Sequence, residues 1–131
     1  MRGTEEPDTG MQLDERAATE VMGWVRGGPD LEFWALRDPP PGLTSVFRMP
    51  VTRWRPTQDP FCLDLLVEEI RSQGLSLSVA ETEYVERHEY TCVVADPSGE
   101  RPPVSATAPT PGLAVVCAVL ARAGREPAAG A

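Results

Sequence analysis

The chain has 131 residues, 12 basic against 20 acidic side chains for a formal charge of −8, and a hydrophobic fraction of 41%. That suits one small core, since a domain of this size buries roughly two thirds of the surface its unfolded chain exposes. The negative balance excludes a duplex nucleic-acid binder, whose affinity comes mainly from clustered cations releasing counterions.

No apolar run reaches the roughly 18 residues of a bilayer-spanning helix. Met1–Pro7 lacks the apolar stretch of a secretory signal, so a cytoplasmic protein of a bacterial host, making no membrane contact, is expected. Every basic residue is Arg, and the chain contains neither Lys nor Asn, a bias that reads as a GC-rich genome and dilutes the meaning of any single Arg.

Residues 1–10 show no periodicity and are expected to fray, as are 125–131, leaving one domain over 11–124. Thr9 and Gln12 have the spacing of a capping box. Leu13, Ala17, Val21 and Trp24 then recur every three or four residues, which predicts a helix over Met11–Trp24 stopped by Gly27-Gly28-Pro29. Residues 30–58 read as a long, partly irregular connection: Leu31–Leu36 and Ser45–Met49 suit short strands, but Asp38-Pro39-Pro40-Pro41-Gly42, Pro50 and Pro56 forbid long ladders.

Asp59-Pro60 is an N-cap followed by proline at the first helical position. The helix it opens carries Leu63, Leu66, Val67 and Ile70 on one stripe and stops at Gly74. Leu75–Ala80 alternates with period two, as a half-buried strand does. Glu89–Ala95 is a second strand, closed by the turn Asp96-Pro97-Ser98-Gly99, and Val104, Ala106 and Ala108 mark a third. Thr110-Pro111 repeats the cap-then-proline signal before Leu113–Leu120, which is apolar nearly all round and so belongs inside. The order predicts an α+β fold, with three helices packed on one small, mostly antiparallel sheet in an α/β sandwich.

Arg16–Trp24, Thr57–Pro60 leading into Phe61–Gly74, and Ala106–Cys117 together resemble the phage ABA sandwich domain, a family from bacteriophages and prophages; Val21-Met22-Gly23-Trp24 is the most specific stretch. Members often carry Ser-Thr-Asp before the second helix, where Thr57-Gln58-Asp59 stands here. The resemblance implies an α/β sandwich encoded by a phage or prophage and a non-enzymatic accessory role, the binding of a host or viral protein. It brings no catalytic residues.

Four features bear on chemistry. Phe47–Arg55 interleaves Arg48, Arg53 and Arg55 with Trp54, a pattern that suits either a solvated edge strand or a site for a nucleotide or other small anion. Trp24 either packs in the core or lines a pocket together with Arg26. Glu81, Glu83, Glu86 and Glu89 around His88 read as a wet hairpin end rather than a metal or proton-transfer site, since no second His exists. Cys62, Cys92 and Cys117, roughly 25 to 30 residues apart, read as reduced core thiols. No catalytic residue, metal or cofactor is expected. The acidic surface favours a basic protein partner, with small-anion sequestration as the rival reading.

Overall fold

Asp59 and Thr110 begin two helices as their sequence predicts. Asp59 accepts from Phe61 N at 2.9 Å, and Thr110 Oγ1 accepts from Leu113 N at 3.2 Å, each satisfying an amide that has no partner within the helix. The computed structural model describes residues 10–37 and 47–125, with the backbone alone at 47, 48, 124 and 125. The helices are α1 (Gly10–Arg16), α2 (Pro60–Ser72) and α3 (Pro111–Arg125). Gly74, at φ 83°, terminates the second. Gly10 and Arg125 belong to helices rather than to the tails; Thr9, and with it the capping box, lies outside the described residues.

The first helix is shorter than its apolar stripe suggests. After Arg16 the backbone widens into a π-helical stretch over Ala17–Val21, where Met22 N reaches Ala17 O at 3.0 Å. Gly23 then takes φ 73°, a left-handed conformation that costs glycine little, and the chain reverses. Trp24 therefore opens a strand instead of closing a helix: β1 (Trp24–Gly27) runs antiparallel to β2 (Phe33–Leu36), which pairs with β3 (Phe47–Pro50). Of Gly27-Gly28-Pro29, expected as a helix stop, Gly27 ends β1 opposite Phe33, and Gly28 and Pro29 lie in the turn between β1 and β2.

Leu75–Ala108 folds as expected into antiparallel strands, β4 (Ser76–Glu83), β5 (His88–Ala95) and β6 (Val104–Ala108), in that spatial order. The fold is α+β with two small antiparallel sheets of three strands each, not one. Within 30–58 the short strands expected at Leu31–Leu36 and Ser45–Met49 are matched by β2 and, over its described residues, by β3; the unexpected strand is β1, which takes Trp24 from the end of the expected helix. Asp38–Gly42 and Ser45 lie outside the described residues.

The core forms where α3 crosses β5 and β6. Ala114, Val115, Val116, Ala118, Val119 and Leu120 are all buried, against Cys92, Val94 and Val104 below and Leu66 and Ile70 of α2 beside them. Each such Val, Leu or Ile is worth about 1.5–3 kcal/mol over leaving it exposed. Trp24, Trp34 and Trp54 belong to the same cluster, at 5%, 2% and 2% exposure, with Trp24 and Trp54 meeting edge to face at 4.8 Å. No helix among the described residues is long and apolar enough to cross a membrane.

The start of α3 touches the connection before α2 so closely that a Cβ on Gly112 would stand 2.5 Å from Thr57 O and 3.0 Å from Pro56 O. Gly112→Ala is expected to cost about 1–3 kcal/mol, because backbone rather than a pliable side chain would have to move. Urea unfolding measures it, and a loss below about 0.5 kcal/mol would show that this contact yields freely.

Candidate functional site

A buried carboxylate organises the floor of the candidate site. Asp14 of α1, 5% exposed, accepts from Thr57 N through Oδ1 at 2.9 Å and from Thr57 Oγ1 through Oδ2 at 3.0 Å. Trp54 Nε1 donates to the Asp14 carbonyl at 2.8 Å. One turn of α1 thereby holds the whole 54–57 segment. Burial raises the Asp14 carboxyl above its ordinary range, and the two Thr57 hydrogen bonds oppose that shift.

Above this floor lie two adjoining clefts that share Glu15 and Arg26 as a wall. The larger, 670 Å³, is bordered by Gln12, Arg16, Thr19, Trp24, Trp34 and Arg37; the smaller, 290 Å³, by Met11, Val51, Thr52, Trp54, Arg55 and Gln58. Arg26 pairs with Glu15 and lies 5.4 Å from the centre of the Trp34 ring. Arg16 pairs with Glu20 at 2.9 Å. Trp34 Nε1 is buried with no hydrogen-bond partner.

The residues singled out from sequence divide across this geometry. Trp24 and Arg26 line the larger cleft together, while Trp54, Arg55 and again Arg26 line the smaller. Arg53 is exposed and borders neither; its carbonyl accepts from Cys62 Sγ at 3.2 Å. Arg48 sits on β3, and its side chain lies outside the described residues. The edge strand expected over Phe47–Arg55 ends at Pro50: Val51 N makes a last bond across to Glu32 O at 2.8 Å, in register with the Phe33–Pro50 pair, and Trp54 N then turns back to Val51 O at 3.3 Å, closing a 3₁₀ turn at Val51–Arg53. Trp24 and Trp54 are core residues that offer the clefts only ring margins, so neither face is open to stack a base. Sequence reasoning missed Trp34, Glu15, Arg16 and Arg37, which come into the cleft through the β1–β2 pairing and the turn of α1.

The second exposed feature is the β4–β5 arm. Every residue from Ser78 to His88 is exposed, so this half of the hairpin stands beyond the cover of the helices. Tyr84 N bonds Arg87 O at 2.8 Å, leaving Val85 and Glu86 as the two central turn residues. Such turns favour Asn-Gly or Gly with positive φ, yet neither Val85 nor Glu86 has positive φ, and Val85 is 100% exposed. Arg87 lies 4.5 Å over the Tyr84 ring, and His88 pairs with Glu81 across the strands. Glu81, Glu83, Glu86 and Glu89 give the arm its acidic character.

Groups for covalent chemistry do not come together. His88, Cys62 and Cys92 belong to different parts of the fold; burial pushes the Cys62 thiol up and the Cys92 thiol to about 11, which keeps both protonated near neutral pH. Cys117, on α3, is half-buried. Among the described residues, no group of three or more His, Cys, Asp or Glu is placed to hold a metal ion.

Asp14→Ala is expected to cost about 2–4 kcal/mol, since Thr57 N and Oγ1 lose their acceptor in a buried site. Asp14→Asn, able to accept from Thr57 N and donate to Thr57 Oγ1, is expected to stay within about 1 kcal/mol of the parent. Because the folded-state value is raised, the native form holds the Asp14 proton more tightly, so its contribution falls as pH rises through that value. Asp96, held down to about 2 first by the Ser98 side chain, acts oppositely: its stabilisation is present above about 3.9 and lost as pH falls through 2. Unfolding curves between pH 2 and 7 on the parent and Asp14→Asn separate the two, since only the upper slope should vanish in the variant.

No protein-family model matches this chain, and neither a curated protein nor a solved structure does.

Proposed function

We propose that this chain is a non-enzymatic accessory protein of a phage or prophage, working in the bacterial cytoplasm by docking its β4–β5 arm onto a basic surface of a host or viral protein. The observation that carries the reading is Val85: a fully exposed β-branched residue at the tip of an uncovered arm, in a two-residue turn whose sequence does not favour that turn. Local choices that work against folding are expected where a residue serves recognition instead. Around this apolar point, Glu81, Glu83, Glu86 and Glu89 supply a charge that speeds encounter with cations and orients the arm, while Val85 and Tyr84 supply contact area.

Val85→Asp with Tyr84→Ser should leave the melting temperature within about 3 °C of the parent, since neither side chain packs on the core. A photo-crosslinker at position 86 should yield a discrete adduct with a host or phage protein. That adduct should weaken with added salt and vanish in the double variant. An adduct that persists in the double variant removes the arm as the docking element.

A second reading, sequestration of a small anion such as a nucleotide, draws on the larger cleft, lined by Arg16, Arg26 and Arg37 together with Trp34, whose buried Nε1 has no hydrogen-bond partner among the described residues. The buried tryptophan faces leave it without a stacking platform, so affinity would rest on phosphate pairing alone. Thermal shift across nucleoside mono-, di- and triphosphates should then track phosphate count, ignore the base and disappear in Arg26→Ala with Arg37→Ala. A panel without any shift eliminates this reading.

A further inference from the structure

Away from both clefts, α3 carries an arginine whose surroundings differ from those of every exposed arginine in the chain. Arg122 is 3% exposed. Its Nη1 donates to the carbonyl of Pro102, in the β5–β6 connection, at 3.0 Å, and that is its sole hydrogen bond among the described residues; Nε is buried and has no partner. No carboxylate lies within ion-pair distance of it among the described residues.

A guanidinium is always protonated, so it cannot escape burial by losing its charge as a lysine would. A buried charge is ordinarily paired. The bond to Pro102 uses Nη1 and leaves Nε and Nη2 without a hydrogen bond among the described residues; Nε is enclosed, so Nη2 is the donor that a ligand reaches, and a charge-assisted bond to a carboxylate is a strong one.

Arg122 also borders a 200 Å³ cleft between the π-helical stretch, the end of α2 and α3, lined by Glu20, Val21, Ile70, Gln73 and Val119. At about 30 Å³ per water in the liquid, this is room for about six waters, or for one short carboxylic acid. The walls are aliphatic except for Gln73 and Glu20. Gln73 Nε2 is engaged by Glu69 at 3.1 Å, and Glu20, the acid on the rim, is neutralised by Arg16 at 2.9 Å. The last turn of α3 offers Arg122 a favourable dipole, but that is worth only a fraction of what a paired carboxylate supplies.

We propose that this cleft is a binding site for a small carboxylate, held by Nη2 of Arg122, with its alkyl portion against Val21, Ile70 and Val119. The site is independent of the arm and of the larger cleft. Small carboxylates such as acetate and succinate fit its volume and its aliphatic walls, whereas phosphate brings no alkyl portion for those walls and finds no second cation.

Thermal unfolding in sodium acetate and sodium succinate, against sodium chloride and sodium phosphate of equal ionic strength, tests it. The parent should melt higher in either carboxylate than in both controls, with a saturable dependence on concentration. Arg122→Met, which keeps the volume and removes the charge, should fold with a melting temperature equal to or above the parent's and lose the carboxylate response. Glu20→Gln, with Arg122 in place, should reach half-saturation at a lower concentration by about threefold or more, because the net charge of the rim becomes one unit more positive.

An equal carboxylate response in Arg122→Met, or an equal response of the parent to phosphate, overturns the proposal, since either would be a general salt effect. If Arg122→Met fails to fold, Glu20→Gln decides alone: an unchanged or weaker response overturns the site.

Discussion

The contact between Asp14 and Thr57 is the constraint on which the arrangement of the helices depends. Thr57 sits where three independent pieces of chain must meet: α1 through the carboxylate, α2 through the cap at Asp59 two residues on, and α3 through Gly112, whose missing side chain lets the backbones approach. Trp54 adds a fourth tie by bonding the Asp14 carbonyl while its ring meets Trp24 of β1. A buried acid is an expensive choice for this position, and its raised proton affinity shows the desolvation it suffers. What it supplies in exchange is direction. An apolar side chain could fill the space, but only an acceptor with two oxygens fixes both the amide and the hydroxyl of one threonine, and so sets where the 54–57 segment lies.

Local signals sufficed wherever a single element declared its own boundaries. Asp59-Pro60, Thr110-Pro111 and Gly74 mark helix ends by stereochemistry that needs no tertiary partner, and those helices lie where they say. The alternation from Leu75 onward marks β4 as a strand, with Leu77 half-buried opposite Val94, but the half-buried face it implies stops there: Val79, on the same face, is exposed, because β4 runs on to Glu83 as part of the uncovered arm. The first helix misled because a spacing of three or four residues cannot separate a helix that continues to Trp24 from one that ends at Val21 and reverses at Gly23. Glycine's left-handed conformation decided between them, and it is visible only in the folded chain. The β1–β2–β3 sheet was legible only in pieces: short strands are expected near β2 and β3, but with four residues each, nothing local says that they pair with one another and with Trp24–Gly27 to make a second sheet.

The candidate site was legible in part, by residue type more than by place. Trp24 and Arg26 do border one cleft, since residues two apart on β1 share a face, one that runs from the core at Trp24 out to the exposed Arg26. Trp54 carried no such geometric guarantee. Surrounded by arginines in the sequence it suggests a stacking platform, yet burial of a whole indole outweighs anything an exposed ring would gain from a ligand not yet bound. The neighbouring Arg53 and Arg55 are exposed simply because the turn that buries Trp54 turns them out.

The arginines show why burial, rather than residue type, has to decide where meaning lies in a chain that has no lysine. Arg16 and Arg26 pair with Glu20 and Glu15 at positions where about two fifths of each side chain faces water, and such pairs contribute about 0–1 kcal/mol because solvent screens them and ordering two long side chains opposes them. They shape the cleft without being needed by the fold. Arg122 is the opposite case: its charge lies in the interior, its neighbours are aliphatic, and one carbonyl is a small recompense for lost hydration. Packing alone would favour methionine there, and pairing alone would favour moving the charge out to the surface beside Glu20. A guanidinium kept inside, with its Nε enclosed and unbonded among the described residues, satisfies neither demand. It is therefore the place in this fold where a requirement other than stability is most plainly written.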